Sequence, residues 1–293
     1  MFAFRLISRL PISLLYLFSD FLYLVMYYII RYRKNVIDSN LLHAFPEKSE
    51  RERKQIKKQF YRNFTDSLAE TVKLLTISEK DLAKRIKIEN VHLVLDKINH
   101  NELIIGLTAH FFNWEAHLLG IQALVQQRCE VVYQKVNNRF FEKLMRELRG
   151  RFGGRLIERK KFQRHFLRER NSPRLIVLAA DQRPENTEIR YWADFMNRKT
   201  AFYEGAEKLA KKFNNTVIFS HVSKPRRGHY VFSYRILAAP PFEDKEHSIT
   251  DRFIQFSEEN IRQEPALYLW SHDRWKIKPP RTEGVEQVDN NLA

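Results

Sequence analysis

Residues 103–117 read LIIGLTAHFFNWEAH, and this stretch decides the fold. Its first half, Leu103 to Ala109, is a continuously apolar run, as expected for a short strand buried on both faces. From Trp114 to Gln126 the pattern becomes helical. Working outward, the alternation recurs. Strands are predicted at Glu130 to Gln134, Leu175 to Ala180, Val217 to His221 and His229 to Ile236. Helices are predicted at Arg139 to Arg149, Phe202 to Lys212 and Ile249 to Arg262. Apolar strands alternating with helices predict an α/β fold, a mixed and mostly parallel sheet covered by helices. Upstream, Ser49 and Glu52 form a capping box. Beyond it Ile56, Phe60, Phe64, Leu68, Val72 and Leu75 recur at helical spacing, predicting an amphipathic helix laid on the main domain.

Composition narrows the class. The 293 residues are 44% hydrophobic and 13% aromatic, which excludes a disordered chain. The single cysteine, Cys129, excludes an intrachain disulfide framework and a multi-cysteine metal site, and fits a reducing compartment. Against 35 acidic residues stand 51 Lys and Arg, a net charge of +16. That excess points to an anionic partner: lipid headgroups, nucleic acid or an acidic protein. No repeat or low-complexity segment is visible.

The N-terminus carries an apolar segment, Leu10 to Ile30, in which only Pro11, Ser13, Ser19 and Asp20 are neither apolar nor aromatic. It is long enough to cross a bilayer core of ~30 Å at ~1.5 Å per residue. No small-residue cleavage site follows, and a core helix would have to satisfy Tyr16, Tyr23, Tyr27 and Tyr28. A membrane-anchor helix over residues 1–34 is therefore predicted. Asp20 near its centre would cost roughly 3 kcal/mol in hydrocarbon, which favours a tilted or interfacial pose. Basic residues from Arg31 through Lys58 place the remainder in the cytoplasm by the positive-inside bias. Residues 35–278 are then the α/β domain, and 279–293 are expected to be a flexible tail.

Four places could carry chemistry. His110 follows the carboxyl end of a predicted strand, where sites in open α/β sheets lie. Glu115 opens the next helix. Across the intervening bend its carboxylate could hold one imidazole nitrogen and leave the other as a base. On one continuous helix the two side chains would diverge by ~140°. The spacing itself is uninformative, since ten histidines and 35 acidic residues make one such match expected by chance. Its weight comes from the strand end and the neighbouring aromatics. The alternative is a partly buried histidine satisfied by Glu115. A zinc site of His110, Glu115 and His117 lacks the H-E-x-x-H spacing and a distant ligand. Asp181, in LAADQRP (178–184), also follows a buried strand and is otherwise a turn cap. A basic belt, residues 139–170, holds twelve Lys or Arg and four Glu, including Arg146, Arg149, Arg151, Arg155 and Arg159. It reads either as a solvated face or as a surface for a phosphate, an anionic membrane or an acidic carrier. LYLWSHDRWK (267–276) reads as a substrate lid or a packed C-terminal strand.

In order and spacing these segments resemble the lipid A late acyltransferases (lauroyl and myristoyl transferases) over about residues 1–278. The likeness rests on the N-terminal anchor and on HFFNWE as the family's His-x4-Asp/Glu. VVYQKVNN followed by LRGRFGGRLI, then DQRP, GAEKLAKK and PALYLWSHDRWK, complete it. DQRP departs from the enterobacterial pattern, in which DQ precedes a glycine-containing stretch.

The resemblance implies an acyltransferase moving a fatty acyl group from an acyl-carrier-protein or coenzyme A thioester to a hydroxyl of a lipid A precursor, aminolipid or related glycolipid. The resemblance also implies work at the cytoplasmic face of the inner membrane. His110 would be general base and Glu115 its orienting carboxylate. Arg149, or its neighbour Arg151, would stabilise the oxyanion or the thioester phosphate, and Asp181 would support the site. No metal or redox cofactor is implied. A basic nucleic-acid-binding protein would explain the charge but not the apolar segment, and no recognition pattern for it is present. A non-catalytic membrane adaptor on the same fold is the other alternative.

Overall fold

The computed structural model describes residues 2–185 and 191–280. The tail expected at 279–293 therefore lies almost wholly outside the described residues. Four N-terminal helices come first: α1 (Phe2–Ser8), α2 (Ile12–Leu24, continued by a π-helical turn, Val25–Ile29), α3 (Lys34–Ala44) and α4 (Glu50–Leu74). Then follow α5 (Glu79–Ala83), β1 (Ile86–Glu89), α6 (His92–Asn99), β2 (Leu103–Thr108), α7 (Trp114–Val125), β3 (Cys129–Tyr133), α8 (Arg139–Arg149), β4 (Arg155–Glu158), α9 (Arg159–Arg168) and β5 (Arg174–Ala179). The remainder is β6 (Tyr191–Phe195), β7 (Arg198–Phe202), α10 (Gly205–Phe213), β8 (Thr216–Arg226), β9 (His229–Ala238) and α11 (Ser248–Gln263).

Seven strands form one sheet in the order β1-β9-β8-β2-β5-β3-β4, parallel at every pairing except the β8–β9 hairpin. The α/β expectation thus holds. Strands β2 and β5 sit centrally, and their alternate side chains enter two different cores. Ile104, Leu175 and Ile218 pack with α6 and α7 through Val94, Ile98, Ile121 and Val125. Ile105, Ile176 and Phe219 face the larger core, which holds Phe253 and Ile261 of α11. A strand covered on both faces has no polar side to show, so LIIGLT reads as an unbroken apolar run.

Several elements escaped the sequence pattern. β1 and β4 are four residues long and carry charges, and β6–β7 is a separate antiparallel hairpin. That hairpin takes Ala201 and Phe202, so the helix predicted from Phe202 starts instead at Gly205. The capping box at Ser49 and Glu52 is present. The apolar face expected of α4 is only partly buried: Leu68 is 42% exposed, whereas Asp66 and Glu70 are buried. The reason is α2, which lies along α4 through polar contacts. Ser19 donates to Asp66 Oδ1 at 2.8 Å and Tyr16 to Glu70 Oε1 at 2.9 Å. The Arg227 guanidinium bridges Asp20 and Asp66 at 2.7 and 2.6 Å. Gly228, at φ +71° in the β8–β9 turn, has no room for a Cβ, which would collide with the Tyr16 hydroxyl.

Candidate active site

The sheet's register assembles the site. β2 and β5 pair in parallel with Thr108 opposite Ala179. His110 and Asp181 each lie two residues beyond these partners, so both leave the sheet at the same edge and level. His110 Nδ1 is 2.6 Å from Asp181 Oδ1. Asp181 is nearly buried at 4% side-chain exposure, while His110 retains 22%, so the imidazole reaches solvent and its partner does not. Gln182 Nε2 lies 3.3 Å from His110 Nε2. One tautomer satisfies both contacts: Nδ1–H donates to Asp181, and the Nε2 lone pair accepts from Gln182.

Burial disfavours the imidazolium, but the adjacent Asp181 carboxylate outweighs it and holds the His110 pKa above the ordinary histidine value. Burial likewise pushes Asp181 up, and the His110 charge and hydrogen bonds bring it below the usual carboxylate range. The pair is the arrangement in which a carboxylate orients a histidine base and stabilises its protonated form.

Glu115 does not contact His110 in this way. The sequence reading had Glu115 orienting the imidazole; the structure gives that place to Asp181. Glu115 is buried at the start of α7 and grips Arg149, the last residue of α8, with Nε–Oε2 at 2.9 Å and Nη2–Oε1 at 2.5 Å. Trp114 Nε1 also donates to Glu115 Oε1 at 3.0 Å, and its ring meets His110 edge-on at 5.5 Å. Burial lowers the Arg149 pKa, but Glu115 raises it further, so the guanidinium stays charged. Two of its nitrogens are committed to Glu115. Among the described residues Nη1 has no hydrogen-bond partner, and both charges are near enough to act on His110. Arg151 is held elsewhere, donating to the carbonyls of Leu74 and Ile77.

His117 is not brought to His110 and Glu115, so the zinc reading falls. It stacks on Phe232 at 4.2 Å and hydrogen-bonds the Tyr234 hydroxyl at 2.9 Å, and burial pushes its pKa down to about 3. Much of the basic belt is also internally engaged. Arg155 pairs with Glu169 and Glu130, and Arg159 with Glu185. The cluster of Glu130, His165 and Glu169 could offer metal ligands. Arg174 and Arg155 already neutralise it, so its chemistry is that of an ion-pair network.

The C-terminal stretch is a brace. Phe111 and Tyr268 form an antiparallel bridge, Phe112 N donates to Leu267 O, and Leu269 N donates to His110 O at 3.1 Å. These bonds fix the loop that carries His110. His272 lies beside the pair, where burial pushes its pKa down to about 4.

A second support was invisible to spacing. Asn113 caps α7, its Oδ1 accepting from the backbone of Glu115 and Ala116. Its Nδ2 donates to Glu70 Oε2 at 3.0 Å, and Glu70 also accepts from Tyr16 and Tyr230. Glu70 thus joins α2 to the site loop. Glu70→Ala would leave three donors without their acceptor, each at about 1–3 kcal/mol when buried. We expect a clearly lower denaturant midpoint for Glu70→Ala, with Glu70→Gln recovering most of the loss.

The family model described as "Bacterial lipid A biosynthesis acyltransferase" matches residues 1–277. The chain belongs to this family. Among curated relatives, the lipid A biosynthesis myristoyltransferase of Escherichia coli (strain K12) is 23% identical over 248 residues, covering 82% of this chain and 74% of the relative. The lipid A biosynthesis acyltransferase of Haemophilus influenzae is 24% identical over 250 residues, covering 84% and 78%. The lipid A biosynthesis acyltransferase 1 of Shigella flexneri is 23% identical over 248 residues, covering 82% and 74%. In this acyltransferase, then, the His110–Asp181 pair and the Glu115–Arg149 pair sit together beyond the central strands of a mostly parallel sheet.

Proposed function

We propose that the chain transfers a fatty acyl group from the thioester of acyl carrier protein or coenzyme A to a hydroxyl of a lipid A precursor or related bacterial glycolipid, at the cytoplasmic face of the inner membrane. The observation that carries the mechanism is the 2.6 Å contact between His110 Nδ1 and Asp181, which leaves Nε2 as the base once the acceptor hydroxyl displaces the Gln182 amide from it. Nε2 takes the proton of the acceptor hydroxyl as its oxygen attacks the thioester carbonyl. The oxyanion that forms meets the Arg149 guanidinium, a kind of stabilisation often amounting to ~3–4 kcal/mol. Collapse breaks the C–S bond, and the departing thiolate recovers the proton from His110. The products are an ester and a free thiol, and the thioester is the only co-substrate the scheme requires. The net +16 charge favours the acidic carrier protein as donor and an anionic lipid as acceptor.

The test is transfer in detergent from radiolabelled acyl carrier protein, or acyl coenzyme A, into a bacterial lipid extract. Label is expected in a glycolipid band. Failure with both donors and a purified lipid A precursor would overturn the proposal. The base must be neutral, so kcat/KM should rise with pH through a pKa above the ordinary histidine value. In Asp181→Asn the carboxylate that raises it is gone and burial dominates. The acid limb therefore moves to lower pH, while the rate falls by about 10²-fold or more as the tautomer is lost. An unmoved limb would show that Asp181 does not govern the base.

A further inference from the structure

The N-terminal apolar segment has two faces of opposite character. One is fixed to the protein by charged and polar groups along its length. Lys73 Nζ donates to the carbonyls of Ser8 and Leu10 at the end of α1, Tyr16 reaches Glu70, and Asp20 meets Arg227. The other face is open: Leu14, Leu17, Phe18, Phe21, Leu24 and Tyr28 are 48–66% exposed and recur at three- and four-residue steps. On α1, Phe2 and Leu6 continue the exposed surface at 83% and 57%. Phe4 touches Phe140 at 5.7 Å, which brings the exposed Phe140 and Phe141 at the start of α8 beside it. Exposed basic residues stand at both ends, Arg9 before α2 and Arg31 and Lys34 after it.

We infer that α1 and α2 lie in the plane of an anionic bilayer surface, apolar face down, and do not cross it. This rests on the membrane association proposed above. Three observations support it. The helical run Ile12–Ile29 is long and apolar enough to cross a bilayer, but it is fixed lengthwise against α4 and the β8–β9 turn by Tyr16, Ser19 and Asp20. It is separated from α1 by a break at Arg9–Pro11. A crossing orientation would also carry Asp66, Glu70 and Arg227 into hydrocarbon, where charged groups are strongly disfavoured. Lying flat, the same helices bury only the apolar stripe and leave the flanking cations level with acidic headgroups.

The test uses the full-length chain expressed in a bacterium, with single substitutions Ala3→Cys, Leu17→Cys and Asn35→Cys. The native Cys129 is fully buried and its thiol is pushed up to about 12, so it stays silent. An impermeant maleimide is applied to spheroplasts, then after lysis, then in detergent. The expected result is protein in the membrane fraction, with Ala3→Cys and Asn35→Cys both unlabelled in spheroplasts and both labelled after lysis. Leu17→Cys should rise at least tenfold only with detergent. Labelling of Ala3→Cys alone in spheroplasts would overturn the flat orientation and leave membrane association standing. Leu17→Cys labelled in membranes without detergent would overturn the apolar footprint. Recovery of the unmodified chain in the soluble fraction would overturn membrane association itself, and this inference with it.

Discussion

Acyl transfer by His110→Ala is expected to fall by about 10²–10⁴-fold in kcat, with donor KM nearly unchanged. On the proposed mechanism the substitution removes Nε2, the atom that takes the hydroxyl proton. His110 projects from a loop fixed by backbone bonds to Leu267 and Leu269, which do not depend on its side chain. The loop should therefore keep its shape, but the buried Asp181 carboxylate loses its hydrogen-bonded partner, so a native circular dichroism spectrum with a lower melting temperature is expected. Retention of more than a tenth of wild-type kcat would remove His110 from the role of base. The comparison also separates an enzyme from a non-catalytic adaptor on the same fold, which would tolerate the change.

The second large effect is on stability. Breaking a buried ion pair by deleting one partner typically costs about 3–5 kcal/mol, because the surviving charge is left desolvated and unpaired. Glu115 has 6% side-chain exposure and Arg149 has 22%. Glu115→Ala should therefore fall near the lower end, about 3 kcal/mol, since Arg149 retains some contact with water. Replacing both, as Glu115→Ala with Arg149→Met, should be less damaging than Glu115→Ala alone, as no stranded cation remains. Denaturant midpoints of the four proteins in the cycle give the coupling. A second readout distinguishes the roles of the two carboxylates. Asp181→Asn moves the acid limb of the pH profile strongly and Glu115→Gln only slightly, because Asp181 bonds the imidazole directly and Glu115 acts from farther away. A Glu115→Gln limb displaced as far as that of Asp181→Asn would reverse this assignment.

The architecture was legible because apolar periodicity is a local property. LIIGLT and LIVLAA could be recognised as doubly covered strands, and α8 and α11 by their helical spacing, without knowledge of any neighbour. The strand-end position of His110 and Asp181 followed from the same periodicity. Elements of four residues, such as β1 and β4, were missed because so short a run carries too little pattern. The buried polar face of α4 was missed because Asp66 and Glu70 look like solvated residues until α2, Arg227, Asn113 and Tyr230 supply their partners.

The sequence by itself determined the α/β class, the apolar N-terminal segment, the excess positive charge and the residues available for chemistry. Only the tertiary structure decided which of those residues meet. His110 and Asp181 are 71 positions apart, and Glu115 and Arg149 are 34 apart. The nearby Glu115 looked like the histidine's natural partner, yet the parallel register of β2 and β5 placed Asp181 there instead. Pairings across such separations depend on strand order and register, which are set by the packing of the whole sheet and leave no mark on local spacing.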